Sequence, residues 1–282
     1  MSTLKGSLAF DITRYGSANA DVAVVLIDGA FSKASMRFKR FTDFFQSIGC
    51  VYVADFDLED FNTNAFTAQL HRKVTAHTRH TRYLIVGLSL GGKLGLHLVD
   101  YDYDHGKHMQ NTLLQPDKTS LIAAASPLQA SHLPLPAKLL TNPRFVKFMS
   151  NPSRANLLQR LLFNPMAASK LSKGVDWNEV DEYVKSMRQF RVPAMAAHVA
   201  AIQTPTSFRG IQNMPTVTMS CIGNTDKVIK GDRTRKAWQT LGVDLKADLQ
   251  IRGEHVALVE HYPEWLQGLV SATYLLGFEL AA

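Results

Sequence analysis

Three side chains have the types that acyl-transfer chemistry requires: a serine, an aspartate and a histidine. Ser89 lies in the segment 87–91, Gly-Leu-Ser-Leu-Gly, which follows an apolar run and precedes a helical pattern. A strand that ends in Gly-x-Ser-x-Gly and enters a helix makes a tight turn, which lifts the serine hydroxyl clear of the sheet. Ser89 is therefore the candidate nucleophile.

A serine nucleophile needs a general base to take its proton and an acid to orient that base. Asp226 directly follows one predicted strand and His255 directly follows the next, so both fall on loops at carboxyl ends of strands. Two alternatives stay open, because Asp226 could bond its own turn and His255 could cap the last helix. His261 competes as the base, but its position favours a role flanking a helix.

The tetrahedral intermediate of acyl transfer needs two N–H donors. The turn after the serine supplies one from Leu90, and the segment 28–31, Asp-Gly-Ala-Phe, supplies the other. Ala30 is the preferred donor over Phe31, since Gly29 lets the backbone come close to the nucleophile. A plain strand-to-helix turn, which the architecture needs in any case, would explain the same glycine.

The same glycine-rich stretch also matches most of a phosphate-binding loop. Residues 87–93 read Gly-x-x-x-x-Gly-Lys after a strand and before a helix. That loop continues with a hydroxyl residue that binds magnesium, and an aspartate ends a later neighbouring strand. Here the next residue is Leu94, and the later strand 121–125 is entirely apolar, so the sequence disfavours this alternative.

Strand and helix patterns alternate along the chain. Continuous apolar β-branched runs predict strands buried on both faces of a parallel sheet. We expect a doubly wound, mostly parallel sheet with helices on both faces. The predicted strands are 8–15, 22–27, 51–56, 82–86, 121–126, 216–222 and 249–252, and the predicted helices include 33–48, 64–80 and 93–99. The Asp- and His-rich stretch 100–108 is predicted to be a solvated loop without metal-ligand spacing.

The alternation stops between the fourth parallel strand and the next one. Residues 127–205 have helical stretches separated by prolines and no strand-like run. We therefore predict an α/β core made of 1–126 and 206–282, with 127–205 inserted as a helical cap. The cap is expected over the carboxyl ends of the strands, where open sheets bind ligands.

On these motifs the sequence resembles the α/β-hydrolase superfamily over residues 20–280. The matching pieces are Gly-Leu-Ser-Leu-Gly-Gly, Gly-Asn-Thr-Asp and Gly-Glu-His. The resemblance implies that Ser89 is the nucleophile, Asp226 the acid, His255 the base and Leu90 an oxyanion donor. The family's usual His-Gly before the first oxyanion donor is Asp-Gly here.

The resemblance implies a serine hydrolase that cleaves carboxylic esters with small or apolar acyl groups, with no cofactor and no metal. Carboxylic ester cleavage is the family's commonest reaction. The fold also hosts lactonases, thioesterases, C–C hydrolases and acyltransferases, so these alternatives stay open. A member of the fold that only binds a ligand is a further alternative.

The charge of the chain is concentrated in the predicted cap. The formal net charge is +7, and residues 127–205 hold ten bases against four acids. Residues 138–173 hold seven bases and no acid. Such a surface predicts weak contact with an anionic membrane beside the small-molecule ester substrate, with a merely solvated face as the alternative; nucleic acid is disfavoured.

The expected location is the cytoplasm. The first residues lack the pattern of a signal peptide, and no apolar run approaches the ~20 residues that span a bilayer. Two cysteines cannot make a disulfide framework. A chain whose signal had been removed would look the same.

Overall fold

The computed structural model describes residues 10–76, 79–109, 114–129, 132, 135–163, 177–204, 209–221, 226, 229, 231–252 and 262–279.

In these residues seven strands form one sheet. They are β1 Phe10–Tyr15, β2 Val22–Ile27, β3 Cys50–Phe56, β4 Arg82–Leu88, β5 Thr119–Ala124, β6 Pro215–Cys221 and β7 Asp244–Ile251. The spatial order is β1-β3-β2-β4-β5-β6-β7. β1 pairs antiparallel with β3, and every other pair is parallel. The predicted mostly parallel, doubly wound sheet is confirmed.

The burial of each strand follows its place in the sheet. β5 is buried at every residue, and β2 and β4 at every residue but the first. These strands carry the continuous apolar runs that suit burial on both faces. The edge strands β1 and β7 are largely half-buried or exposed and contain charged side chains. The most regular part of the sheet therefore lies at β2, β4 and β5.

Helices cover both faces of the sheet. They are α1 Ala34–Arg37, α2 Thr42–Gln46, α3 Thr63–Thr75, α4 Leu90–Met109, α5 Leu135–Leu139, α6 Pro143–Met149, α7 Pro152–Phe163, α8 Trp177–Met187, α9 Val192–Gln203, α10 Gly231–Gln239 and α11 Tyr262–Leu275. One apolar core includes side chains of α3, α4, α9 and α10, and the other includes those of α1, α2 and α11. Each face of the sheet is thus buried by its own set of helices.

Apart from differences in where elements begin and end, two predicted elements differ from the structure. The predicted helix 33–48 is divided into α1, a 3-10 turn at Lys39–Phe41, and α2. The predicted solvated loop 100–108 is wrong, because α4 continues through it to Met109. Asp100 and Asp102 are buried there because they have partners: Asp100 accepts the Gly210 N–H at 3.1 Å, and Asp102 bonds His71 at 2.6 Å.

The described part of segment 127–205 holds α5 to α9 and no strand. Helix α9 packs on α4, and α6 packs on both α7 and α9. The segment therefore contacts the core beside the helix that follows Ser89. Its division from the core at 127 and 205, and its role as a cap, stay predictions.

Candidate active site

Ser89 occupies the turn between β4 and α4. Its φ is +50°, a left-handed conformation that is uncommon for a residue with a side chain. Its N–H donates to the Ala124 carbonyl of the neighbouring strand at 2.8 Å, which fixes the turn to the sheet. Ser89 is 7% exposed. A strained backbone held by such bonds is the geometry that the Gly-x-Ser-x-Gly motif predicts.

Only glycine fits at the position two residues after Ser89, because no room is left there for a Cβ atom. A Cβ on Gly91 would lie 2.0 Å from the Ile27 carbonyl oxygen, at the end of β2. No side chain fits at that distance, so the first turn of α4 packs directly on the β2 backbone. This contact brings the serine turn against the segment that follows β2.

That segment, residues 28–31, contacts Ser89 directly through Gly29 and is called the oxyanion turn below, after the role that the sequence predicts for it. A Cβ on Gly29 would lie 2.9 Å from the Ser89 Cβ. The topology explains the contact, because β2 and β4 are neighbours and the sheet reverses its winding direction between them. Crevices at such a switch point are where doubly wound sheets bind ligands.

Two of three consecutive N–H groups in the oxyanion turn have acceptors among the described residues. Gly29 donates to its neighbour Asp28 at 2.6 Å, and Phe31 donates to the Nδ1 atom of His198 at 3.1 Å. Among the described residues no acceptor takes the N–H of Ala30, which lies between them. Of the two donors that the sequence allowed, Phe31 is thus engaged by a side chain of α9.

Leu90 is the first residue of α4 and is fully buried. N–H groups in the first turn of a helix have no acceptor within the helix and carry the positive end of the helix dipole. The backbone of Leu90 is therefore suited to stabilise a developing oxyanion beside Ser89.

His198 is a residue that sequence reasoning missed. It is fully buried on α9, and its ring packs among Phe31, Phe56, Phe61 and Phe190 at centroid distances of 4.6–5.8 Å. Burial lowers the pKa of His198 to about 3, so the ring is neutral. Since Nδ1 accepts a hydrogen bond, the proton lies on Nε2. A single histidine in an apolar helix gave no sign of this contact.

Asp226 lies after β6, on the loop that the sequence predicts. It is half-buried, and its Oδ1 accepts the Ile229 N–H at 2.8 Å. It lines a small cavity together with Ser126 and Trp238. Ser126 in turn packs on the first turn of α4, because a Cβ on Gly92 would lie 2.1 Å from the Ser126 Oγ. This chain of contacts connects the surroundings of Asp226 to the helix after Ser89.

His255 and His261 lie outside the described residues. The strand before them is described: β7 runs parallel to β6, with Ile251 opposite Cys221. The chain therefore leaves β7 at the same edge of the sheet as Ser89 leaves β4. The triad of Ser89, Asp226 and His255 stays a prediction.

Solved structures with the same architecture cover nearly the whole chain. A carboxylesterase from Nitrososphaera gargenis superposes with a TM-score of 0.66 at 14% identity, covering 98% of both chains. A thermophilic esterase from Thermogutta terrifontis gives 0.66 at 13% identity over 95% of this chain and 93% of that one. The 2-hydroxy-6-oxo-6-phenylhexa-2,4-dienoate hydrolase of Rhodococcus sp. strain RHA1 gives 0.59 at 16% identity, over 95% and 96%.

The chain has the α/β-hydrolase fold. No protein-family model matches the sequence, and a search of curated proteins finds no significant match. The resemblance inferred from the Gly-Leu-Ser-Leu-Gly-Gly, Gly-Asn-Thr-Asp and Gly-Glu-His motifs is confirmed at the level of the fold.

The His-Gly pair that is usual in α/β-hydrolases is replaced in this chain by Asp28 and Gly29. A buried cation lies beside the Asp28 carboxylate. Asp28 is fully buried and faces Arg37, with 3.7 Å between its Oδ2 and the Arg37 Nε. Burial raises the pKa of Asp28, and the Arg37 charge opposes that rise. Arg37 donates to the Tyr183 hydroxyl of α8 and lies 4.1 Å from the centre of its ring. The oxyanion turn is thus connected to the inserted helices at two points, through His198 and through Arg37.

Lys93, the lysine of the phosphate-loop pattern, is buried in this α/β-hydrolase fold. Its side chain is 2% exposed on α4 and interacts electrostatically with Asp100, seven residues further on. Burial lowers the pKa of Lys93 to about 8. A phosphate-binding lysine reaches the mouth of its loop, so this position does not fit that function.

Two structural features are absent from the described part of the chain. It holds no group of three His, Cys, Asp or Glu side chains that could bind a metal ion. None of its helices is long and apolar enough to cross a membrane.

Proposed function

We propose that this protein is a serine hydrolase that cleaves carboxylic esters through an acyl-enzyme. The observation that carries the proposal is the strained Ser89 turn in contact with Gly29 of the oxyanion turn, at the switch point of the sheet. The esterases among the solved structures of the same fold support the choice of reaction.

The mechanism uses five groups of the chain. Ser89 Oγ attacks the ester carbonyl while His255 takes its proton, and Asp226 orients His255. The N–H groups of Leu90 and Ala30 stabilise the oxyanion of the tetrahedral intermediate. His255 then gives the proton to the leaving alcohol, and the acyl group stays on Ser89. Water repeats the sequence and releases the acid.

His198 acts in this proposal as a positioning residue. By accepting the Phe31 N–H, it holds Phe31 at a φ of +64° and so fixes the peptide groups of the oxyanion turn. The Ala30 N–H is the donor left for the substrate oxygen. Donors that are fixed before the reaction stabilise the transition state without a reorganisation cost.

The substrate that we propose is a small or apolar acyl ester. Leu90 and Phe31, next in the chain to Ser89 and Ala30, are buried apolar side chains. Hydrolysis rates across p-nitrophenyl esters of increasing acyl length test this choice. A rate that rises and then falls with length supports an apolar acyl site of limited size, and indifference to length contradicts it.

Labelling by a fluorophosphonate probe tests the nucleophile. The wild type is expected to react and Ser89→Ala is not. Ser126→Ala is the control, because Ser126 lies next to α4 but donates its hydroxyl to the carbonyls of Gly87 and Ala124. A wild type that does not react would favour the ligand-binding alternative.

Asp226→Asn separates the two roles open to Asp226. The amide oxygen still accepts the Ile229 N–H, so a purely structural role predicts wild-type rates. A catalytic acid predicts a kcat lower by about 10⁴-fold, because the histidine takes the wrong tautomer. His255→Gln is expected to lose at least as much, and wild-type rates in either variant would contradict its assigned role.

A further inference from the structure

One outer face of the inserted helices has basic and apolar side chains side by side. It consists of Arg144, Lys147 and Phe148 on α6 and Arg154, Leu157 and Arg160 on α7, and we call it the cap face. All six side chains are exposed.

The apolar members of the cap face are both exposed. Phe148 and Leu157 are each 56% exposed, although neighbours such as Met149 and Leu158 are buried. Leu139, at the end of α5, is 43% exposed as well. Packing against the core accounts for the buried neighbours but not for Phe148 or Leu157. Exposed aromatic and leucine side chains at one place indicate a binding surface.

The bases surround these side chains in a fixed geometry. The Arg154 guanidinium lies 3.9 Å from the centre of the Phe148 ring, and its Nη1 donates to the Phe148 carbonyl at 3.3 Å. Arg144 lies one turn before Phe148, and Arg160 lies three residues after Leu157, so each shares a helix face with its apolar neighbour. The two helices therefore present one continuous surface.

The charge of this surface has one sign. Residues 135–163, which are described throughout, hold five bases and no acid. A second copy of the chain would bring the same positive face against it, and like charges would repel. Nucleic acid would satisfy the bases but not the leucine. An anionic bilayer matches both features, since its head groups attract bases and its acyl boundary accepts apolar side chains.

We propose that the cap face docks this protein on anionic membrane surfaces, with Phe148 and Leu157 entering the head-group region and Arg144, Lys147, Arg154 and Arg160 binding lipid phosphates and carboxylates. This docking is independent of the reaction at Ser89, so either proposal can fail alone.

Cosedimentation with vesicles tests the proposal. The full chain is expected to bind phosphatidylcholine vesicles that contain about 30 mol% phosphatidylserine and not pure phosphatidylcholine vesicles. Binding should fall at least ten-fold between about 0.1 M and about 0.5 M salt, because salt screens the attraction. Equal binding to both vesicles, or none to either, would overturn it.

Matched variants localise the contact. Arg144→Gln with Arg160→Gln is expected to weaken binding about five- to 25-fold, since each base near the surface contributes roughly five-fold. Arg72→Gln with Lys73→Gln, exposed on α3, is the charge-matched control and should keep wild-type binding. Equal losses in both pairs would mean that only net charge acts and would overturn the cap face as the docking site.

The apolar members separate a bilayer from nucleic acid. Phe148→Ser with Leu157→Ser should weaken vesicle binding about ten-fold, whereas Tyr274→Ser, 80% exposed on α11, should not. In Phe148→Trp, the fluorescence of the introduced indole should shift to the blue on anionic vesicles. Binding to a DNA duplex that competes with the vesicles, without a blue shift, would assign the face to nucleic acid and overturn the proposal.

Discussion

Replacing His198 with Phe tests whether a side chain of the inserted helices positions the oxyanion turn. Phe fills nearly the same volume and suits a site formed by four aromatic rings. What it removes is the Nδ1 acceptor of the Phe31 N–H. The variant should therefore fold, with the Phe31 donor left without its buried acceptor.

The substitution should have two separate effects, one on stability and one on catalysis. Leaving a buried donor unpaired costs about 1–3 kcal/mol of unfolding free energy. Misplacing one oxyanion donor costs catalysis as well, up to the roughly 10²–10³-fold that removal of a whole donor costs. Since the Ala30 N–H is displaced and not removed, we expect kcat to fall about 10- to 100-fold, with KM nearly unchanged.

Steady-state ester hydrolysis and urea unfolding measure both effects. His198→Asn places an amide oxygen near the position of Nδ1 and should restore much of kcat. Phe61→Leu is the control for stability, because Phe61 packs on the His198 ring at 4.6 Å but does not bond the oxyanion turn. If His198→Phe keeps wild-type kcat, or if Phe61→Leu loses as much at equal stability, the positioning role is refuted.

Three further predictions concern buried groups. Gly29→Ala should lower kcat at least ten-fold in ester hydrolysis, because its Cβ would lie 2.9 Å from the Ser89 Cβ; wild-type kcat would contradict the close contact. Burial lowers the pKa of Lys93 to about 8, so near pH 7 the fold holds a buried charge, and Lys93→Met should raise the free energy of unfolding. This gain should fade as the pH rises from about 8 to about 10.5, because wild-type Lys93 is then neutral in the folded state while the unfolded chain still binds the proton. His97 and His198, with pKa values of about 4 and about 3, stay neutral in the fold, so the unfolded chain binds more protons below pH 6.5. The free energy of unfolding, measured by urea titration, should therefore fall as the pH is lowered from 6.5 to about 4, at up to ~1.4 kcal/mol per pH unit for each histidine. His198→Phe should remove about half of the slope that these two histidines contribute.

The sheet could be predicted from the sequence because its central strands are buried on both faces. The predicted strand at Val22–Ile27 matches β2 at both ends, and the four other predicted strands that are fully described overlap their observed counterparts. Asp226 also lies on its predicted loop, since a strand end fixes the position of the next residues whatever their side chains do. The Ser89 turn could be predicted for the same reason, because its glycines and its place after a strand are local properties.

What could not be predicted depends on contacts between distant segments. Asp100 and Asp102 belong to a helix because Gly210 and His71 supply partners for their carboxylates, and no local pattern contains those residues. His198 meets Phe31 across 167 residues of sequence. The exposure of Phe148 is likewise a result of tertiary packing, since the sequence of α6 alone does not say which side faces the core.

The most direct test of the central claim is to find the covalent adduct. After reaction with a fluorophosphonate and digestion by trypsin, the adduct mass should appear on the peptide of residues 83–93, whose single serine is Ser89. Fragment ions should place the mass on that serine, and Ser89→Ala should give only the unmodified peptide. An adduct on any other peptide, or an unmodified wild type, would contradict the assignment of Ser89 as the nucleophile.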